Sequence, residues 1–314
     1  MRRLPELDPF AAPSTVAIAR LARISPEQVL RFDGNTAPAA PPYARAEAVA
    51  DELARVHTYP HGGYEGLVPA IARYAEALPE NVVLGAGADD LLYLVVRAFA
   101  GRGDRVAIAD DPTYPLFETA VLVAGAEVGA EAPALTIACR PNNPTGELAG
   151  LPAARPLLVD EAYYEYCGVT AADLIDDGVV VVRTFSKAFG LAGARVGYAL
   201  ADSEVAAELN RRQTPAPLST LSVALALAAL DRGPTDVPSI LEERERLAGE
   251  LRRSGFAPLA SNANFVAVPH DDGPGLYERL LRRGLAVRPY RGGIRITVRT
   301  QEDDDRLLAA LQSL

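Results

Sequence analysis

The chain has 314 residues, 49% hydrophobic and 23% charged, which is enough to bury two domain cores and ordinary for a globular protein. A formal net charge of −10 argues against a nucleic-acid or membrane-surface partner, and no apolar run is long enough to span a bilayer. Cys139 and Cys167 make no disulfide framework, and Met1-Arg2-Arg3-Leu4-Pro5 leads into an acidic stretch, not an apolar leader, so a reducing cytoplasm is expected.

Residues 1–43 are rich in proline and alanine, end in Pro38-Ala39-Ala40-Pro41-Pro42, and read as an N-terminal arm belonging to a small domain. Two amphipathic helices are predicted near 44–56 and 65–77, separated by the turn-rich Tyr59-Pro60-His61-Gly62-Gly63-Tyr64. His57 and His61 are four apart, but Pro60 breaks the helix that would align them, so no metal site is expected. Val82-Val83-Leu84 then precedes a helix over about 88–100, and Arg105-Val106-Ala107-Ile108-Ala109 precedes another. Leu135-Thr136-Ile137-Ala138, Leu157-Leu158-Val159 and Val179-Val180-Val181-Val182 read as buried strands, with a weaker one at Val196-Gly197-Tyr198-Ala199. This alternation predicts an α/β large domain over 44–232, its mostly parallel sheet covered on both faces. An apolar helix over 218–230 closes that domain. Residues 233–314 read as a smaller α+β domain, with helices near 237–253, 274–283 and 302–313 and strands near 264–268, 285–288 and 294–298.

Lys187 is the only lysine; every other cation among the 31 is arginine. A guanidinium stays charged, whereas an amine can lose its proton and attack a carbonyl. If the cationic positions were interchangeable, the chance of the lone lysine falling on any chosen one would be one in 31. It stands in Thr184-Phe185-Ser186-Lys187-Ala188-Phe189-Gly190-Leu191, just past a buried strand, where α/β enzymes place their chemistry. A Schiff-base lysine is the expectation.

Other residues fit around it. Gly85-Ala86-Gly87-Ala88-Asp89-Asp90 follows a strand and opens a helix, either as an anion cradle or as an ordinary helix start. Asp90 stands where a dinucleotide fingerprint needs its third glycine, so a phosphate monoester fits better than NAD. Asp160, directly after Leu157-Leu158-Val159, is either a helix N-cap or the buried partner of a cation such as a protonated ring nitrogen. Asn143, in Asn142-Asn143-Pro144-Thr145-Gly146, is explained by turn chemistry alone. Thr184 and Arg195, on either side of Lys187, could complete a phosphate cup.

Together these motifs resemble the fold-type I, pyridoxal-phosphate-dependent class I/II aminotransferase family, most of all its histidinol-phosphate aminotransferase branch. The resemblance runs from about Tyr59 to the C-terminus, and its most specific part is Arg183-Thr184-Phe185-Ser186-Lys187-Ala188-Phe189-Gly190-Leu191-Ala192-Gly193 with Arg195 beyond. It implies a fold-type I α/β architecture in which 44–232 binds pyridoxal 5'-phosphate. Lys187 would form the Schiff base, Asp160 would pair with the pyridine nitrogen, Asn143 and Tyr163 would hold the ring hydroxyl, and Tyr114 would stack on the ring. Ala88, Asp89, Thr184, Ser186 and Arg195 would hold the phosphate, with Tyr59 reaching it from the other subunit of a homodimer. Arg295 would clamp the substrate's carboxylate or alcohol end and Arg288 a distal anion, with Asn35 also on the substrate side.

Residues 279–299 carry seven arginines and no acid, and alternation puts Arg295, Thr297 and Arg299 on one face. Arg279, Arg282 and Arg283 read as surface residues. Three positions depart from the family pattern: Ala39 replaces an aromatic, Arg140 an asparagine and Arg299 a glycine. The expected reaction is transamination of histidinol phosphate with 2-oxoglutarate. A broad aromatic aminotransferase, a threonine-phosphate decarboxylase-like lyase and a cofactor-sensing regulator are the alternatives, the last lacking any basic DNA-binding segment here.

Overall fold

Strands without polar alternation are stable only when both faces are covered, and that requirement organises this molecule. The computed structural model describes residues 12–60 and 62–314. The first eleven residues and His61, and with it the His57/His61 pairing, lie outside the described residues. The chain opens with α1 (Thr15–Ala22), β1 (Leu30–Arg31), α2 (Ala46–Leu53) and α3 (Leu67–Tyr74). The central region follows as β2 (Val82–Gly85), α4 (Ala88–Phe99), β3 (Arg105–Ile108), α5 (Leu116–Ala124), β4 (Glu127–Val128) and β5 (Leu135–Cys139). It continues through β6 (Leu157–Asp160), α6 (Tyr164–Cys167), β7 (Val179–Thr184), β8 (Gly197–Leu200), α7 (Ser203–Arg212) and α8 (Thr220–Arg232). The C-terminal part is α9 (Val237–Arg253), β9 (Phe265–Pro269), α10 (Gly273–Leu281), β10 (Leu285–Ala286), β11 (Arg288–Tyr290), β12 (Gly293–Thr297) and α11 (Gln301–Gln312).

The seven-stranded sheet runs β2-β8-β7-β6-β5-β3-β4, and β8 alone is antiparallel to its neighbours. Residues of one strand divide between two cores. Leu158, Val180 and Val182 pack with α4, α5 and α7, whereas Leu157, Val159, Val179 and Val181 pack with α3 and α8. Because β6 and β7 are buried throughout, their polar ends, Asp160 and Thr184, mark where the sheet stops being core and becomes site.

The smaller part is a β11-β12-β9 antiparallel sheet packed with α9, α10 and α11 through Leu247, Leu251, Phe265, Ile294, Leu307 and Leu311. Residues 15–31 join it: β1 pairs in parallel with β10, and Ile18 and Ala19 of α1 pack on Leu281 and Ala286. Two details differ from expectation. The single strand expected at 285–288 is divided between two sheets, β10 pairing with β1 and β11 with β12. Pro289 has no N–H for a ladder, which suits β11 to the edge it occupies. Helix α7 was not expected, since its charged sequence hides the period. Asp202 nucleates it by accepting from the N–H groups of Glu204 (2.9 Å) and Val205 (3.1 Å).

Candidate active site

A cleft of about 330 Å³ opens where β5, β6 and β7 end, between the large sheet and the residues 31–36 and 288–295 of the smaller part. Every expected site residue lines it except Tyr59. Tyr59 is 82% exposed, on the turn after α2, and touches nothing in the cleft of its own chain.

One end is built for an anion. Gly87 is the N-cap of α4 with φ of +87°, so the first N–H groups of the helix face outward unsatisfied by the chain behind them. A Cβ at Gly87 would meet the Arg195 guanidinium at 2.6 Å, and one at Gly197 would meet the backbone of Gly87 at 2.6 Å. Both glycines are therefore needed for the β2–α4 turn, β8 and Arg195 to converge. Thr184 and Ser186 add hydroxyls, held together by an Oγ1–Oγ hydrogen bond of 2.9 Å and by Ser186 N–H donating to Thr184 (3.1 Å). Arg195 itself sits at φ of +53°, a left-handed backbone that a non-glycine residue adopts at a cost of about 1 kcal/mol. Asp89 corrects a detail: its carboxylate takes Arg195 (3.3 Å) and the Tyr114 hydroxyl (3.1 Å). Only its main-chain N–H is suited to an anion. Asp90, by contrast, closes the turn by accepting from the Ala86 N–H (3.0 Å).

The middle of the cleft holds two ionisable groups in unusual states. Asp160 is 4% exposed and accepts from the Ala162 N–H (3.0 Å), but among the described residues no cation lies within ion-pair distance of it. Burial pushes its carboxyl up to about 7, against the help of the Ala162 N–H. Such a buried acid calls for a protonated nitrogen, and this is the observation by which a pyridine ring fits the site. Lys187 opens on the same cleft. Burial and the charge of Arg295 bring its amine down to about 8, while Asp89 and Asp160 pull the other way. Its Nζ donates to the Gly34 carbonyl at 3.0 Å. Tyr163 is buried, accepts from Asn35 Nδ2 (2.8 Å), and is held well above the usual phenol range by burial.

The far end is cationic. Arg295, Arg288 and Arg31 all line it. Arg295 donates to the Asn143 side-chain oxygen and to the Asp33 carbonyl (2.6 Å), and its buried Nε has no hydrogen-bond partner. Asn143 is thus tied to the substrate end as well as facing the ring position. Arg31 and Asp33 escaped sequence reasoning. They form a two-point ion pair at 2.6 and 2.8 Å, a contact that an Arg-x-Asp spacing on a two-residue strand does not announce. Strand β12 ends at Thr297, so Arg299 lies beyond it, although its side chain still reaches the same segment as Arg295 and Thr297. Arg279 and Arg283 pair with Asp272 and with the Ala310 and Ser313 backbone, away from the cleft.

Behind the site, Glu161 and Arg183 form an ion pair at 3.0 Å with side chains 0% and 2% exposed. Glu161 also accepts from Thr170 and the Ala171 N–H, and Arg183 lies 3.6 Å over the Tyr164 ring. The pair bolts the ends of β6 and β7 together one residue from Asp160 and Thr184. Arg183→Met should lower unfolding stability by about 3–5 kcal/mol, because it strands a buried carboxylate. Urea melts check this, and a loss under 1 kcal/mol would mean that the pair is well replaced by packing.

Comparison with known proteins shows the family and the fold. The family model "Aminotransferase class I and II" matches residues 28–133 and 129–311. The histidinol-phosphate aminotransferase of Caldanaerobacter subterraneus subsp. tengcongensis is 34% identical, over 90% of this chain and 92% of that protein. That of Thermoanaerobacter pseudethanolicus is also 34% identical, over 83% of this chain and 85% of its own. Among solved structures, histidinol-phosphate aminotransferase from Sinorhizobium meliloti in complex with pyridoxal-5'-phosphate superposes with a TM-score of 0.85 at 28% identity, covering 97% of this chain and 94% of that one.

Proposed function

The chain belongs to the class I and II aminotransferase family, and we propose that it transfers the amino group of histidinol phosphate to 2-oxoglutarate with pyridoxal 5'-phosphate as cofactor. The observation that carries the reading is the sole lysine, its amine half-neutral near pH 8, opening on a cleft that also holds an unpaired buried carboxylate and a helix N-terminus. When bound, pyridoxal phosphate supplies an aldehyde that exchanges amines and a protonated ring that draws off electrons.

The residues divide the work by chemistry. Lys187 Nζ would hold the cofactor at its aldehyde carbon and, as a free amine, would carry a proton to and from the position beside it. Asp160 keeps a proton on the ring nitrogen. The N–H groups of Ala88 and Asp89, the hydroxyls of Thr184 and Ser186 and the Arg195 guanidinium bind the phosphate. Asn143 and Tyr163 hold the ring hydroxyl, and Tyr114 covers the ring face. Arg295 grips the carboxylate of the acceptor or the alcohol end of the donor, which carries its phosphate, with Asn35 beside it, and Arg288 receives a further oxygen of that phosphate or the distal carboxylate of the acceptor.

If Arg288 takes the substrate phosphate, histidinol phosphate is turned over far faster than histidinol. Losing a charged partner in a desolvated site costs roughly 2–5 kcal/mol, about 30-fold to several thousand-fold in rate. Arg288→Ala erases most of that preference, whereas Arg295→Ala harms every carboxylate-bearing substrate. Equal rates on histidinol phosphate and on phenylalanine or tyrosine would replace this reading with a broad aromatic aminotransferase. CO2 release from threonine phosphate would replace it with a lyase.

A homodimer is part of the proposal, with Tyr59 of the partner subunit completing the phosphate site. Its side chain is solvent-exposed within its own chain, which suits a role in trans. Tyr59→Phe is expected to weaken cofactor retention roughly ten- to a hundredfold, about the worth of one hydrogen bond to a charged group, with the melting temperature of the stripped protein unchanged. A monomer fully active at high dilution would exclude this arrangement. The unpaired Cys139 and Cys167 and the lack, among the described residues, of a helix long and apolar enough to cross a membrane support a cytoplasmic enzyme.

A further inference from the structure

Arg299 stands where the family pattern has glycine, and its side chain is only 14% exposed. Its Nε donates to Asp303 Oδ2 (2.8 Å) in the first turn of α11, and its own N–H points at the buried Asp304 carboxylate (3.3 Å). The other two nitrogens leave α11 and cross to the 31–38 segment. NH1 donates to the Arg31 carbonyl (3.3 Å), NH2 approaches the Pro38 carbonyl (3.5 Å), and the guanidinium lies 5.9 Å from the Phe32 ring centroid. One rigid fork, anchored on a helix, therefore touches both ends of this segment.

The segment needs holding from outside. Strand β1 supplies only two residues of ladder, Asn35 has a φ of +49°, and Ala37, Ala39 and Ala40 have no side chain with which to grip. Yet its main chain carries acceptors used by two residues of the site. The Asp33 carbonyl receives Arg295, and the Gly34 carbonyl receives Lys187 Nζ at 3.0 Å. Thr297 and Asn264 fix the centre, at Phe32 and Asn35, and Arg299 fixes the ends.

Taking Lys187 as the reacting amine of the function proposed above, we propose that Arg299 is a positioning residue, holding the 31–38 segment so that the Gly34 carbonyl orients Lys187 Nζ. Of the charged groups that bear on this amine, Asp89, Asp160 and Arg195 stand away from the segment, and only Arg295 is tied to it, through the Asp33 carbonyl (2.6 Å). What Arg299→Gln removes is the grip on the segment, and so the fixed acceptor.

The single lysine makes the test clean. Limiting acetic anhydride labels cofactor-stripped full-length protein across pH 6–11, and mass spectrometry separates the Lys187 adduct from that of the N-terminus. An ammonium that loses a fixed carbonyl acceptor is more acidic, so the labelling midpoint of Arg299→Gln falls by roughly half a pH unit. In the holoenzyme kcat falls about tenfold with KM within about twofold, the pattern of a misplaced reacting group, while the melting temperature holds. Asp303→Asn loosens the same guanidinium without deleting it and shifts the midpoint less, in the same direction; it carries the test should Arg299→Gln fail to fold. An unmoved midpoint in both variants overturns the proposal, as does a kcat loss that only tracks the folded fraction. Absence of a borohydride-fixed pyridoxyl group on Lys187 in the natural protein would overturn the cofactor reading instead, and labelling would still decide the position of the amine.

Discussion

Lys187→Ala abolishes covalent capture of pyridoxal phosphate. Borohydride treatment of the natural holoenzyme fixes one pyridoxyl group per chain on Lys187, and the variant shows none, because no second lysine can substitute. Turnover falls by about 10²- to 10⁴-fold from lost proton transfer alone, and further from the lost covalent step. Lys187→Arg does no better, since a guanidinium neither deprotonates nor condenses with an aldehyde at these pH values. Loss of fold does not explain the result. Burial disfavours the ammonium, bringing the amine from 10.5 to about 8, so its cost to the stripped protein is fully present below about pH 8 and fades as pH rises toward 10.5. At pH 7 the alanine variant should therefore melt no lower than the natural stripped protein. A pyridoxyl adduct in Lys187→Ala at any site other than the N-terminal amine would sink the assignment.

How much of this could be read from sequence depended on how local each signal is. The strands β5, β6 and β7 were legible because a run such as Val179-Val180-Val181-Val182 has one physical use, burial on both faces. Lys187, Asp160 and Thr184 were legible because they stand at the ends of those runs. Contacts made through space were not. The Arg31–Asp33 pair, the Gly34 carbonyl beneath Lys187 and the reach of Arg299 depend on the 31–38 segment crossing to the smaller sheet, and alanine and proline carry no periodicity that announces it. The Glu161–Arg183 pair is intermediate, since Arg183 opens a recognised motif and Glu161 directly follows Asp160, but only the β6–β7 register brings them together. The orientation of the Asp89 carboxylate is of the same kind. Sequence puts the residue at the helix start, and only the structure turns its carboxylate toward Arg195 and Tyr114.

Asp160→Asn is expected to act in opposite directions on function and on the stability of the stripped protein. In the holoenzyme the amide cannot keep a proton on the ring nitrogen. Loss of that charge-assisted partner in a buried site costs roughly 2–5 kcal/mol, about 30-fold to several thousand-fold in kcat. Without cofactor the same carboxylate is a liability, because burial raises it from 3.8 to about 7. Below pH 4 folded and unfolded chains both carry the proton, and nothing is lost. Between 4 and 7 the unfolded chain releases its proton while the folded one keeps it, so stability falls with rising pH, and the whole penalty stands above 7. Asparagine keeps the acceptor for the Ala162 N–H and has no charge to desolvate. Stripped Asp160→Asn should thus be more stable than the stripped natural protein at pH 8, by on the order of a few kcal/mol, with the gap closing toward pH 4. Adding pyridoxal phosphate should reverse the order at pH 8, since only the carboxylate gains a cation from it. Denaturant melts at pH 4.5, 6 and 8, with and without cofactor, measure both halves. A stripped variant less stable than the natural protein at pH 8 would mean that Asp160 already has its countercharge within the chain, and the case for a ring nitrogen in that position would fall with it.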